Sequence, residues 1–275
     1  MYALKKYSKI IFGNFIAILI SLLVIIPMVV LFLNSFKSQS ESNRMSLSLP
    51  KEWIFSNYKT VIEQGKLITS FLNSLLYSAS SVIIIVILVA AAAFVISRNR
   101  KGINNFIYYF ILSGIAIPIN NVALMKVLQA LNLVNTRVGV ILIYAAINIP
   151  LSLFLSYGFI STIPREVDEA AIIDGCGPID LFFRIILPLL KPIISTLFVL
   201  NFMAVWNDFT MPLYYLNNSS KWPMTLAVYN FFGTFENSWN LVSADIILTL
   251  LPVLIVFIVG QKYIVGGVSA GSVKG

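Results

Sequence analysis

Between Ile10 and Leu33 the chain carries no charged residue. Comparable apolar runs follow at about 68–97, 103–120, 138–160, 189–209 and 243–260. Some 20 apolar residues cross the hydrocarbon of a bilayer as a helix. Inside hydrocarbon every backbone N–H and C=O has to be satisfied, which a helix does within its own segment. The expectation is an all-α membrane protein of six transmembrane helices, read as one domain over residues 1–275. With 59% hydrophobic and 11% charged residues, a water-soluble core is excluded.

Charge placement gives the topology. Lys5, Lys6 and Lys9 precede the first run, which is too long for a signal peptide and lacks a small-residue cleavage site. Arg98, Arg100 and Lys101 close the second. With the N-terminus inside, the segments 1–9, 98–102, 164–191 and 261–275 are cytoplasmic and hold eleven of the nineteen Lys and Arg. Segments 34–66, 119–137 and 208–242 then lie outside, the second with a short helix over Asn121–Leu131. The third is rich in aromatics: Tyr214, Tyr215, Trp222, Tyr229, Phe231, Phe232, Phe235 and Trp239. The net charge of +8 sits at the ends of apolar runs, which points to lipid headgroups and topology rather than nucleic acid. Ser74, Ser78, Ala79, Ser80, Ser81 and Ala90–Ala93 suit close packing of the second span within a bundle.

Residues 164–192 break the pattern. Glu166, Asp168, Glu169, Asp174 and Asp180 are five of the chain's eleven acids, set between two spans. Each charge costs roughly 2.5–3.5 kcal/mol in the membrane on insertion scales, so the segment lies outside the bilayer. Pro164 followed by acids reads as a helix start, and Gly175 as its left-handed stop. Pro178 opens a second helix with an apolar stripe at Leu181, Phe182, Ile185 and Ile186. Pro188 and Pro192 mark its junction with the fifth span. The reading is a helix, a glycine turn and a helix on the membrane surface.

Absences narrow the function. There is no histidine and a single cysteine, Cys176, so histidine-ligated metals, cysteine zinc sites and Ser-His-Asp chemistry are excluded, and no P-loop is present. No enzymatic activity is expected of the chain, and no metal site.

At Glu169–Pro188 the sequence runs Glu-Ala-Ala, Asp-Gly, then Phe, Ile and Leu-Pro. This resembles the EAA motif of ABC importer permeases. VWNDFTMPLYYL (Val205–Leu216) and the terminal QKYIVGGVSAGSVKG look like segments of the carbohydrate-uptake permeases of the maltose-transporter MalG type, and the resemblance extends over essentially the whole chain. Cys176 and Gly177 depart from it, standing where the family more often has Ala and Ser. The resemblance implies a type I importer fold in a bacterial cytoplasmic membrane, with both termini inside. The permease would form half of a translocation pore for a sugar or oligosaccharide. It also implies partners: a second permease, two ATP-binding subunits using ATP and Mg, and an extracytoplasmic sugar-binding protein. This chain itself would bind no cofactor. The helix pair becomes a coupling helix docked on an ATPase, with Glu169, Ala170, Ala171, Asp174, Gly175, Phe182, Ile185, Leu187 and Pro188 as its residues. The glycine-bearing tail (Gly266, Gly267, Gly271, Gly275) would be a flexible end reaching between the ATPases. The outer segment 208–239 would meet the binding protein, although its aromatics equally suit an interfacial belt.

Tyr144, Asn148, Asn201, Trp206, Asn207 and Asp208 are the candidate groups along the substrate path, with hydrogen-bonding and stacking chemistry suited to sugars. Interhelical hydrogen bonds are the plainer use of the same residues. Two other classes stand against the importer. A transporter driven by an ion gradient calls for buried ionisable groups, of which Asp208 and Asp245 at span ends are the candidates. An intramembrane enzyme calls for an aspartyl pair or a lysine base within a span, and neither is visible.

Overall fold

The computed structural model describes residues 2–99, 101–232 and 238–272, with side chains from Ile11 to Ile264 within those ranges. Among them eleven helices carry the architecture: α1 (Tyr2–Asn34), α2 (Ser56–Gln64), α3 (Leu67–Arg98), α4 (Gly102–Ala116), α5 (Asn121–Ala130), α6 (Arg137–Ile160), α7 (Glu166–Ile173), α8 (Pro178–Leu189), α9 (Lys191–Asn207), α10 (Thr210–Tyr215) and α11 (Trp239–Ser272). Four are long and apolar enough to cross a membrane: α1 from Ile11, α3, α6 and α11 as far as Ile264. α8 and α9 meet the same length and apolarity only as a pair, bent by 70° at their junction, and α4 is a shorter apolar helix.

Boundaries differ from expectation where a cap or a proline decides them. The third run ends at Ala116, because Ile117 takes an extended backbone ahead of Pro118. The fifth begins at Lys191, after the bend. The last helix starts at Trp239, inside the segment read as external, and continues to Ser272. The tail expected to be flexible is therefore helical over all its described residues; Gly275, like Arg100 and Phe235, lies outside them. Asn120 accepts the N–H groups of Val122 and Ala123 at 3.1 and 3.0 Å and so opens α5. Asn132 and Asn135, singled out as polar, hold positive-φ turn positions after it, a conformation asparagine tolerates.

The sequence reads as one domain, whereas the chain's contacts separate into two compact units: Met1–Ile68 with Ala227–Leu250, and Thr69–Leu226 with Leu251–Gly275.

In the first unit the span of α1 from Ile11 is almost wholly exposed, with only 6% buried, leaving its apolar surface for lipid or another subunit. At its end the interior turns polar. Asn57 donates to the carbonyls of Ser35 and Lys37, both at 2.9 Å, and accepts from Asn240 Nδ2 at 3.0 Å. Asn34 donates to Ser42 O at 3.1 Å. Buried Lys37 donates Nζ to Ser46 O at 2.7 Å. These side chains supply partners to backbone carbonyls of the turns that follow α1.

The second unit has a core of Ile85, Val89, Ala93 and Ile96 from α3, Leu153 and Ile160 from α6, and Ile193 and Leu197 from α9. Ala171, Leu181, Ile186 and Leu190 belong to the same core, so the acidic segment is built into it. Gly260 lets α11 approach α9, where an added Cβ would stand 2.6 Å from Val199. Thr196 Oγ1 donates to Tyr263 O at 2.7 Å across that contact.

Asn57→Ala strands two buried carbonyls and one amide. It is expected to cost roughly 2 kcal/mol, read as a lowered thermal unfolding midpoint of the detergent-solubilised protein, whereas the exposed control Gln129→Ala leaves the midpoint unchanged.

Candidate functional site

The segment 164–190 forms an elbow. Asp168 and Glu169 N–H groups bond the Arg165 carbonyl at 2.9 and 3.1 Å as α7 begins. α7 ends at Asp174, and Gly175 reverses the chain at φ +85. There Gly175 N–H bonds Ile172 O and Cys176 N–H bonds Ala171 O, both at 3.0 Å, closing the helix end. An added Cβ at Gly175 meets nothing within 4 Å, so only the backbone angle calls for glycine. Pro178 opens α8, which does not remain an α-helix. Leu181–Ile186 is a π-helical turn, closed by the Leu187 N–H on Phe182 O. Pro188 accounts for it: the residue has no N–H, and its ring crowds the carbonyl four positions back, which a wider turn relieves.

The elbow has two faces. Ala171, Leu181, Ile186 and Leu190 are buried, with Phe182, Ile185, Leu187 and Cys176 packed against them and the Phe182 ring 5.6 Å from Phe94 of α3. The other face projects. Glu166, Glu169, Ala170, Asp174 and Pro188 are exposed, and Ile172, Ile173 and Ile179 stand 60%, 85% and 75% open. The two alanines of the motif thus divide, Ala170 outward and Ala171 inward.

The acids divide too. Asp180 pairs with Arg184 at 3.0 Å on the surface. Asp168 turns inward and binds Arg98, the last residue of α3, through both carboxylate oxygens: Nε to Oδ2 at 2.6 Å and Nη2 to Oδ1 at 3.2 Å. Among the described residues, Glu166, Glu169 and Asp174 have no ion pair. Three carboxylates and three exposed isoleucines thus share the projecting face, above a buried apolar back. Sequence reasoning missed Arg98, taken there only as a topological charge, because its partner lies 70 positions away.

The six substrate-path candidates lie in the second unit but do not form one lining. Tyr144 donates its hydroxyl to Asp208 Oδ2 at 2.9 Å, and Asn148 donates to Tyr144 O at 2.8 Å. Asp208 Oδ2 also accepts the Met211 N–H at 2.9 Å near the start of α10, and its carbonyl accepts from Thr225. Asn201 is buried and paired with Ser152 of α6 at 3.1 Å. Trp206 is 1% exposed, stacked on Phe202 and edge-on to Phe71. Asn207 alone is exposed. The same end of the unit is held by Tyr215, whose hydroxyl donates to Asn121 O at 3.1 Å and whose burial raises its pKa, keeping it a donor.

Asp245 sits inside α11 rather than at its edge. It is 1% exposed, and neither oxygen has a hydrogen-bond partner among the described residues. Among those residues, no three His, Cys, Asp or Glu side chains gather to hold a metal ion.

The fold is that of an ABC importer permease. It superimposes with a TM-score of 0.80 on a chain from the crystal structure of a bacterial ABC transporter involved in the import of the acidic polysaccharide alginate, covering 93% of this chain and 97% of that one at 23% identity. In sequence it is 35% identical to a diacetylchitobiose uptake system permease protein of Streptomyces coelicolor over 94% of this chain and 86% of that protein. It is 32% identical to a melibiose/raffinose/stachyose import permease protein of Bacillus subtilis over 91% of both. A probable starch degradation products transport system permease protein of Thermoanaerobacterium thermosulfurigenes is 34% identical over 95% of this chain and 96% of that protein. Residues 89–269, which include the elbow, match the pattern of the binding-protein-dependent transport system inner membrane component, and the chain belongs to that family.

Proposed function

We propose that this chain is the permease subunit of an ATP-driven oligosaccharide importer. It forms half of the translocation pore with a second permease and is moved through its elbow by ATPase subunits that bind Glu169 and its exposed isoleucines. One observation carries the reading: the elbow offers carboxylates and apolar side chains outward from a back that is part of the membrane core. A push on its projecting face has to move the helices behind it, because close-packed interiors do not absorb displacement. The relatives are named for diacetylchitobiose, for melibiose, raffinose and stachyose, and for starch degradation products. That range supports a short oligosaccharide as cargo and an extracytoplasmic binding protein as its donor.

In the cycle, ATP binding draws the ATPases together, the elbows follow, and the pore opens outward to receive sugar. Hydrolysis resets it. The termini and the elbow lie on the cytoplasmic side. Asn207 and Asp208, at the opposite end of α9, are the polar groups offered to arriving sugar, and Tyr144 and Asn148 hold that end in shape. A gradient-driven carrier is the second reading, favoured by buried Asp245.

One reconstitution decides between them. In vesicles holding the assembled complex and its binding protein, without an ion gradient, uptake of an oligosaccharide depends on ATP. Uptake without ATP but with a proton or sodium gradient would establish the carrier instead. Glu169→Lys is expected to leave insertion unchanged while lowering both uptake and sugar-stimulated ATP turnover by about 10- to 100-fold, the range for losing a charge-assisted contact.

Gly175→Val forces a β-branched residue into a left-handed angle at about 1–2 kcal/mol and is expected to reduce uptake severalfold. Gly175→Asn, which accepts that angle, retains most of it. Equal uptake by the two variants would show that the turn has no part in coupling.

For orientation, Ile173→Cys and Asn218→Cys, each in a Cys176→Ser background, are expected to react with an impermeant maleimide from opposite faces of the membrane, Asn218→Cys from outside intact cells.

A further inference from the structure

Of the four long helices, α1, α6 and α11 contain an internal proline (Pro27, Pro150 and Pro252). α3 contains neither proline nor glycine over its whole length. Helices kink at proline, where a backbone hydrogen bond is missing. α3 is the unbroken rod of the molecule, and it is fastened at both ends within the second unit.

At the elbow end the fastening is Arg98. Its guanidinium pairs with the Asp168 carboxylate, Nε standing 2.6 Å from Oδ2 and Nη2 donating to Oδ1 at 3.2 Å. With Nη1 it also donates to the Ile163 carbonyl at 3.1 Å, in the turn between α6 and α7. The side chains of the pair are only 14% and 13% exposed. Nη1 and Nη2 donate to two different groups, so one guanidinium ties α7 and the turn before it to the end of α3. Both helix ends favour the arrangement, a cation at the C-terminus of α3 and an anion in the first turn of α7. One turn earlier, Phe94 packs on Phe182, so the last turns of α3 hold both arms of the elbow.

At the far end the fastening is polar and equally dense. Asn73 donates to the carbonyls of Ser220 and Trp222 at 2.9 and 3.1 Å and accepts from Arg137 Nε at 3.1 Å. Ser74 Oγ accepts the Met224 N–H at 2.8 Å, and Tyr77 donates to Lys221 O at 2.7 Å. Every one of these contacts is to the segment 220–224 or to the start of α6. From Asn73 to Arg98 the rod measures roughly 37 Å at 1.5 Å per residue, more than the hydrocarbon thickness.

We infer that α3 transmits the elbow's displacement across the membrane to the segment 216–226, with the Arg98–Asp168 pair as the joint that engages it. The inference rests on the elbow being the place where an ATPase docks, and it goes further in assigning the load to one helix and one ion pair. Arg98 and Asp168 are positioning residues: they touch neither sugar nor nucleotide. The segment at the far end then senses the nucleotide state, and by reciprocity of coupling whatever occupies that segment biases the ATPases.

The test uses the assembled complex in a Cys176→Ser background. Asn217→Cys carries an environment-sensitive fluorophore on the far segment, and Ile173→Cys, in a separate preparation, reports elbow–ATPase crosslinking. With the native pair, ATP-Mg plus vanadate shifts the fluorophore signal. Arg98→Gln is expected to leave the Ile173→Cys crosslink and basal ATP turnover within twofold of native. It is expected to abolish the fluorophore shift and to lower sugar taken up per ATP hydrolysed about tenfold, in the range of a contact coupling energy. Asp168→Asn behaves the same way. The double variant Arg98→Gln/Asp168→Asn, which leaves no unpaired buried charge and so secures insertion, is no worse than either single variant. A persisting fluorophore shift in the double variant, with the crosslink intact, overturns the role of α3 while sparing the docking of the elbow. Absence of the crosslink in the native complex overturns both. Losses in the single variants that add in the double show two independent side chains and overturn the joint.

Discussion

Hydrocarbon tolerates neither an unpaired charge nor an unpaired backbone group, and that pair of prohibitions arranges this chain. Apart from Asp245 and Lys262 in α11, the long helices are uncharged between their ends. Polar groups near those ends pair with one another. Asn57 closes carbonyls of the turn after α1, Asn73 those of Ser220 and Trp222, and Arg98 that of Ile163. Asparagine recurs because a single side chain both donates and accepts, so it can join a helix end to a neighbouring turn without leaving a charge behind.

The same rule makes the elbow stiff. A charged loop merely excluded from the membrane would lie on it, solvated and mobile. Here one acid of the five is spent inward on Arg98, and Ala171, Leu181, Ile186 and Leu190 continue the core beneath. The outward acids are thereby held at fixed height above a packed base. Loss of either member of the pair would leave the other charge poorly solvated near the membrane edge, and so the joint is kept closed more firmly than an exposed ion pair would be.

Much of this was legible beforehand because it follows from local pattern. Runs without charge give the long helices, Pro178 a helix start, Gly175 a left-handed stop, and Asn121–Leu131 a short helix that the structure places at Asn121–Ala130. What was not legible depends on partners distant in sequence or on how a helix end is relieved. Arg98 carries no mark that separates it from Arg100 and Lys101, and only the fold brings Asp168 to it. Trp206 has the composition of a sugar platform, yet its indole is sealed between Phe202 and Phe71. Asn201 likewise satisfies Ser152 and Leu197 O, the interhelical use that a buried amide most often has. The end of the last helix was misjudged because glycines in a tail suggest freedom, whereas α11 carries Gly266, Gly267 and Gly271 within its helix.

The π-turn and the bend after it give the elbow a directional property that its acids alone would not. Pro188 and Pro192 each remove a donor, and the chain responds in two ways: α8 widens before the first, and the axis turns by 70° ahead of the second. Leu190, 1% exposed, is locked in the core between them. A helix continuing straight from α8 into α9 would carry a push along its own axis and out through α9. The bend denies that route, since a lateral load on α8 meets a corner pinned at Leu190. The load then falls on what α8 and α7 lean against, which is the end of α3 at Phe94 and Arg98. The prolines of the bent α8–α9 pair and the unbroken backbone of α3 are in this sense one arrangement: the first is made to yield at a point so that the second receives the force.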